Sequence, residues 1–377
     1  MKSFKSLMVL VMILCALIAG FHVLSGLSLR DGDSYLTVLD KDLFKILPSD
    51  NEEPPFAISK IVKFTIPFKL RESDLLSINT FVFTRSNPQK KNSVEAGIYD
   101  MSKNLVMSNF DPQNQVKSSK VSVSADGKMI LVTYMGTEDK TNITYVYDAS
   151  TNKKLYAFNG VLSAQWLPDS HRFVGMDDYL FIQDTKSGNR EDLLKISEVA
   201  GKDPKTLMSL NLLKDGRTVC LSNDNDNTHM LFVDLETKQQ RQKSLKGHFF
   251  DAVPVGHTKM AAAGLFQDQF GIFLYDVKSE SLEQLIDLKN QKLIHISVSQ
   301  DGKKLAYSVL KYNTEGFGTE IHAVSLNDNQ FINDEVIYKA SNQIIDLLIW
   351  SKDSRMLYCY NRNTDNTAIY RISFKSV

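Results

Sequence analysis

The sequence predicts an all-β chain, a seven-bladed β-propeller closed by an N-terminal strand and preceded by one N-terminal transmembrane or signal helix. Three observations carry this. From about residue 57 onward short apolar runs alternate with polar residues, which is the period of strands. Two separate anchors recur in phase along that stretch, and an apolar segment stands near the start of the chain. The 377 residues carry 44 basic and 44 acidic side chains, so there is no broad attraction to phosphate backbones and no nucleic-acid partner is expected. Three cysteines without CxxC spacing exclude a disulfide scaffold and a zinc module.

Taken in order, residues 1–6 read as a short cytoplasmic tail holding Lys2 and Lys5. Residues 7–27 are almost unbroken apolar sequence, near the roughly 20 residues that cross a hydrocarbon core, and read as a signal-anchor helix. Lys2 and Lys5 before it, against Asp31, Asp33, Asp40 and Asp42 after it, keep the N-terminus inside and place the rest on the extracytoplasmic side. The expected location is the cell membrane, single-pass. Small residues Val23 and Ser25 also permit cleavage before Gly26, which would give a secreted protein. Residues 28–56 read as a stalk with one short helix around 43–47, ended by Pro54 and Pro55.

Residues 57–377 form the propeller. The first anchor is an apolar strand closing on Asp or Ser, at Asp100, Asp148, Asp184, Asp234, Asp276, Ser325 and Ser373. These seven positions lie 36 to 50 residues apart, near the roughly 40–50 of a propeller blade. Between Asp184 and Asp234, residues 191–199 suggest a short helical turn at most.

The second anchor is a turn at Asp126-Gly127, Asp169-Ser170, Asp215-Gly216, Asp301-Gly302 and Asp353-Ser354. Asp-Gly suits a type I′ hairpin turn, in which both central residues have positive φ. Three residues before each Asp stands Val123, Trp166, Leu212, Val298 or Trp350, a shared register that assigns them to the same inter-blade layer. The fifth unit has only Gly256-His257-Thr258-Lys259 at this place, and the unit ending at Asp100 lacks the turn. The pattern therefore also allows six or eight blades.

With its Ser-x-Asp-Gly-Lys turns and Asp-ended strands, the stretch from 57 to 377 resembles the TolB-like, WD-repeat-related β-propellers. The resemblance implies the fold and leaves the activity open. Ring closure is expected from residues 58–66, which read as a strand and would complete the last blade, because only four residues follow Ser373.

Candidate functional residues are few. Loops between second and third strands bring Phe266, Phe270, Tyr312 and Phe317 toward one aromatic patch for a protein or peptide partner, or else these rings cover the blade ends. The run Asn223–Asn227 is oxygen-rich yet lacks the Gly and Glu of an EF-hand loop, so it reads as a solvated turn. The repeated aspartates read as a structural signature, because catalysis needs one asymmetric constellation. His171, His229, His248, His257, His295 and His322 show no metal-ligand spacing, and there is no GxSxG elbow or phosphate loop. Cys220 and Cys359 fall in non-adjacent units, too far apart to bridge. No cofactor, metal or catalytic residue is expected. The reading is a membrane-anchored, non-enzymatic binding or scaffolding module; the alternative is a glycan hydrolase or lyase using carboxylates around the channel.

Overall fold

The structure is a computed structural model that describes residues 37–39, 56–87, 90, 93–110, 113–137, 142–199, 209–222, 228–245, 247–289, 291–313, 316–327, 330–362 and 365–375. The chain divides into two units, 1–35 and 36–377, and all described residues lie in the second. The expected membrane helix over 7–27, the helix around 43–47 and the Asn223–Asn227 run lie outside the described residues. Among the described residues, no helix is long and apolar enough to cross a membrane.

Thirty strands and one short helix are described, and the strands form seven antiparallel sheets. Blade 1 holds β3 (Leu70–Leu75), β4 (Thr80–Ser86), β5 (Ser93–Asp100) and β6 (Leu105–Asn109), with β7 (Gln113–Asn114) also on β5. Blade 2 holds β8 (Val116–Val123), β9 (Met129–Gly136), β10 (Ile143–Asp148) and β11 (Lys154–Asn159). Blade 3 holds β12 (Ser163–Trp166), β13 (Arg172–Met176), β14 (Tyr179–Asp184) and β15 (Arg190–Lys195), followed by α1 (Ile196–Val199). The helical turn expected within 191–199 is thus its last four residues, and the rest is strand.

Blade 4 holds β16 (Ser209–Leu212), β17 (Thr218–Ser222), β18 (Thr228–Asp234) and β19 (Gln240–Leu245). Blade 5 holds β20 (Gly247–Pro254), β21 (Lys259–Phe266), β22 (Gln269–Asp276) and β23 (Ser281–Asp287). Blade 6 holds β24 (Lys292–Val298), β25 (Lys304–Asn313), β26 (Gly316–Asn327) and β27 (Gln330–Ser341). Blade 7 is β28 (Leu347–Trp350), β29 (Met356–Asn361) and β30 (Thr367–Phe374), with β2 (Ile58–Ile66) antiparallel on β30 and β1 (Thr37–Leu39) on β2. β1 falls within the segment read from sequence as a stalk.

Seven buried apolar clusters make the sheets into a ring, each shared by two neighbouring blades. Blades 1 and 2 share one around Val82 and Val132, blades 4 and 5 one around Phe232 and Phe273, and blades 6 and 7 one around Ala323 and Leu357. The cluster holding Phe64, Tyr360, Phe81 and Tyr99 joins blade 7 to blade 1. A sheet with two buried faces explains third strands such as β10, ITYVYD, in which four successive residues are buried. The two tryptophans lie in the layers before their own blades, and their indole N–H groups donate to Ser122 O (3.3 Å) and Ser297 O (3.2 Å) on the preceding blade.

The five Asp turns depart from the type I′ geometry. Gly127, Ser170, Gly216, Gly302 and Ser354 have φ between 58° and 74°, whereas the aspartates before them are absent from the positive-φ set. Each is a longer loop in which a four-residue turn, closed at the first by Gly127 N–H donating to Ser124 O (2.9 Å), ends on one left-handed residue that bends the chain into the second strand. At Gly302 a Cβ would also come within 2.3 Å of Val255 O, so the position requires glycine. A turn with two positive-φ residues does occur, at Gln267 (49°) and Asp268 (63°), between β21 and β22.

Candidate functional site

The first strands of blades 1 to 7 touch in succession and line the axis. Cross-strand registers set Glu72, Lys120, Ser163, Ser209, Asp251 and His295 at equivalent positions on the first strands of blades 1 to 6. The wall of the channel is therefore of mixed charge. Its carboxylates do structural work. Asp74 Oδ2 accepts Val123 N–H (2.7 Å) and Asp251 Oδ2 accepts Ile296 N–H (3.2 Å), each on the next blade, and the neutral Gln165 accepts Leu212 N–H (2.8 Å) in the same way. Asp346 pairs with Arg362 at 3.2 Å, and Arg362 also bonds Arg71 O.

Burial sets the electrostatics of this wall. It raises the carboxyls of Glu72, Asp74 and Asp251 above the usual range against the opposing charges and hydrogen bonds around them. It lowers Lys120, with Glu72 opposing, and lowers His295, with Asp251 opposing. The His295 Nδ1 atom is buried without a hydrogen-bond partner. Among the described residues, no group of three or more His, Cys, Asp or Glu side chains could hold a metal ion.

Three clefts open on the axis. One of 280 Å³ runs between blades 4 and 5 from Lys120 and Asn211 out to Met230 and Leu245. One of 240 Å³ lies beside Lys120, Ser163 and Gln165, and one of 320 Å³ lies among Lys69, Arg71, Lys117, Asp346 and Arg362. The sequence reading passed over these wall residues, although their signal was present. Lys120, Ser163, Ser209 and His295 each lie three residues before a member of the register Val123, Trp166, Leu212 and Val298.

The four aromatic residues singled out from sequence do not share one surface. Phe266 packs in the layer between blades 4 and 5, stacked on Phe249 at 6.3 Å, whereas Phe270 packs on the opposite face of the same sheet, stacked on Phe250 at 5.9 Å. Tyr312 and Phe317 face each other directly across β25 and β26. Alternation from Ala306 and Ile321 puts this pair on the side of blade 7. What reaches solvent is Phe250 (39%) at the bulge of the inner strand β20 and Leu265 (44%) near the β21–β22 hairpin tip on blade 5, and Tyr312 (73%) and Phe317 (39%) near the β25–β26 hairpin tip on blade 6.

The repeated aspartates build turns. Asp100, Asp148, Asp184, Asp234 and Asp276 each end the third strand of a blade, and each Oδ1 accepts the main-chain N–H groups two and three residues on. Cys220 and Cys359 are buried free thiols in the second strands of blades 4 and 7.

No protein-family model matches the chain, and no curated protein matches it. Solved structures do. The β-propeller domain of Myceliophteria thermophila Cps50 (Swd1) aligns with a TM-score of 0.57 at 15% identity, over 84% of this chain and 99% of that one. U3-55K aligns at 0.55 and 10% identity, over 81% and 96%. The C-terminal WD40 domain of Sif2 aligns at 0.51 and 12% identity, over 83% and 97%. The chain thus has the fold of a seven-bladed WD40-type β-propeller.

Proposed function

We propose that this chain is a non-enzymatic binding or scaffolding propeller, TolB-like in its turn chemistry, that takes a protein or peptide partner on the exposed hairpin tips of blades 5 and 6. The carrying observation is the exposure of Leu265, Tyr312 and Phe317 near the tips of hairpins on neighbouring blades, where large apolar side chains in water favour a docking surface. The WD40-type fold supports this reading. The wall carboxylates favour it over a hydrolase or lyase, because Asp74, Asp251 and Asp346 are committed to main-chain or arginine contacts.

The apolar stretch 7–27, with its flanking charges, supports tethering in the cell membrane with the propeller outside the cytoplasm; cleavage before Gly26 would instead release it. The mass of the mature N-terminus distinguishes the two. A partner that copurifies stoichiometrically with the full chain is expected to be lost in a Tyr312→Ser/Phe317→Ser variant of unchanged thermal stability. Retention of the partner by that variant would remove the assignment. Phe266→Ala is unsuited to this test because Phe266 belongs to the inter-blade core.

A further inference from the structure

The channel wall is laced by inner-strand hydrogen bonds at nearly every inter-blade layer. Asp74 joins blade 1 to 2, Trp166 joins 3 to 2, Gln165 joins 3 to 4, Asp251 joins 5 to 6 and Trp350 joins 7 to 6. At the 7/1 layer Tyr358 donates to Ile78 O at 2.6 Å. Among the described residues no such bond joins β16 to β20. The turns that follow these two strands meet, Lys214 N–H donating to Gly256 O (3.3 Å), and the other ties lie farther out, where Thr228 Oγ1 donates to Gly247 O (3.1 Å) and accepts Phe249 N–H (3.2 Å). In the space left open lies the 280 Å³ cleft, walled by small residues such as Ser209, Ser222, Ala252 and Ala262.

The two ends of this cleft differ chemically. Its outer part is apolar, formed by Met230, Leu245, Phe249 and Met260. At its axial end stand Lys120 and Asn211, neither of which makes a side-chain hydrogen bond or ion pair among the described residues. The Lys120 ammonium is exposed to the axial space and feels the Glu72 carboxylate without a direct ion pair to it, so an anion at the mouth of the cleft would give it the charge-assisted hydrogen bond that the wall does not. Asp251 shares the rim on the blade 5 side, which directs an anion toward Lys120 and Asn211. At roughly 30 Å³ per water-sized group, the volume holds about nine such groups.

We infer that the gap between blades 4 and 5 binds a small monocarboxylate with an unbranched apolar body of about eight to ten heavy atoms, its carboxylate on Lys120 and Asn211 and its tail among Met230, Met260 and Leu245. The inference is independent of the partner reading, which uses different residues. The test is calorimetric titration and thermal unfolding of the full chain with octanoate below its micellar range, with octylamine and 1-octanol for comparison. Octanoate is expected to bind and raise the unfolding midpoint, while octylamine does neither and octanol binds at least tenfold more weakly. Lys120→Gln is expected to weaken octanoate tenfold or more. Asp251→Asn, which keeps an acceptor for Ile296 N–H, is expected to tighten it severalfold. Ala262→Leu is expected to abolish it, with Ser222→Leu as a second filling variant should the first not fold. Absence of octanoate binding at millimolar concentration, equal binding of octylamine, or binding unchanged by Lys120→Gln and by a folded filling variant would each overturn the assignment. The Tyr312→Ser/Phe317→Ser variant is expected to bind octanoate normally, so failure of the partner reading and failure of this one are separable.

Discussion

Aspartate is used in two opposite ways in this molecule, and the difference is what surrounds the carboxylate. At the strand ends it accepts local N–H and O–H groups: Ser150 and Thr151 hold the Asp148 carboxyl down at about 2. At Asp100, Asp126, Asp184, Asp234 and Asp301 burial pushes upward, yet the hydrogen bonds outweigh it and the pKa lies below the usual value. On the channel wall burial wins, and Asp74 is raised despite the N–H groups of Val123 and Leu75. A carboxyl lowered by folding stabilises fully above its unfolded pKa, near about 4, and loses that contribution as pH falls through the folded value. The unfolding midpoint of the full chain is therefore expected to drop steeply between about pH 4 and pH 2. A carboxyl raised by folding has the opposite sign, since its ionised form costs stability at neutral pH. Asp74→Asn keeps an acceptor for Val123 N–H, so it is expected to stabilise by about 1 kcal/mol at pH 8, with the gain vanishing as pH falls and wild-type Asp74 protonates. Thermal unfolding of both chains across the pH range checks both statements; an advantage that grows on acidification would contradict the second.

Two blades lack the Asp turn, and their neighbours span the gap. Blade 1 turns through Leu76–Asn79 and blade 5 through Val255–Thr258. Over the blade 1 turn, Lys352 from blade 7 reaches Ser124 O (3.1 Å) and Ala125 O (3.2 Å) of blade 2. Over the blade 5 turn, Lys214 from blade 4 reaches Ser299 O (3.1 Å) and Gln300 O (3.2 Å) of blade 6. The same residue, one before the Asp, thus ties blades that are not neighbours. Lys352→Met or Lys214→Met is expected to cost roughly 1–3 kcal/mol by leaving two carbonyls without a charged donor. Lys128→Met, whose ammonium lies 3.7 Å from Asp126 on the same turn and is well exposed, is expected to cost less than about 0.5 kcal/mol. Denaturant unfolding of the three variants makes the comparison. The turns themselves were legible in sequence because Asp, Gly and Ser occupy them for local backbone reasons. Their lysine contacts were not, since Lys352 and Ser124 are 228 residues apart and meet only in the ring. Phe266 and Phe270 part for a related reason. Residues 266 and 270 are close in sequence, but a two-residue turn puts Leu265, not Phe266, opposite Phe270, and sheet alternation sends the two rings into different layers.

At the scale of the whole ring, stability depends on every blade having two neighbours. β2 pairs with β30 over Ile58–Ile66, and its Phe64 and Ile66 enter the cluster shared with blade 1 while Ile61 enters the one shared with blade 6. This strand therefore supplies hydrogen bonds to one edge and apolar surface to two layers. Without it, β30 would present an unpaired edge and blade 1 would lose part of its only contact with blade 7. Repeat structures with free ends fray from those ends, because each terminal unit is held by one interface instead of two. Deleting residues 57–68 is accordingly expected to lower the unfolding midpoint and to expose blades 7 and 1 to protease before blades 3 and 4, where the interfaces are untouched. Limited proteolysis with mass identification of the first cuts reads this order. Unchanged thermal unfolding, or first cuts in blades 3 and 4, would mean that the ring holds without its N-terminal strand and that the inter-blade layers alone carry its closure.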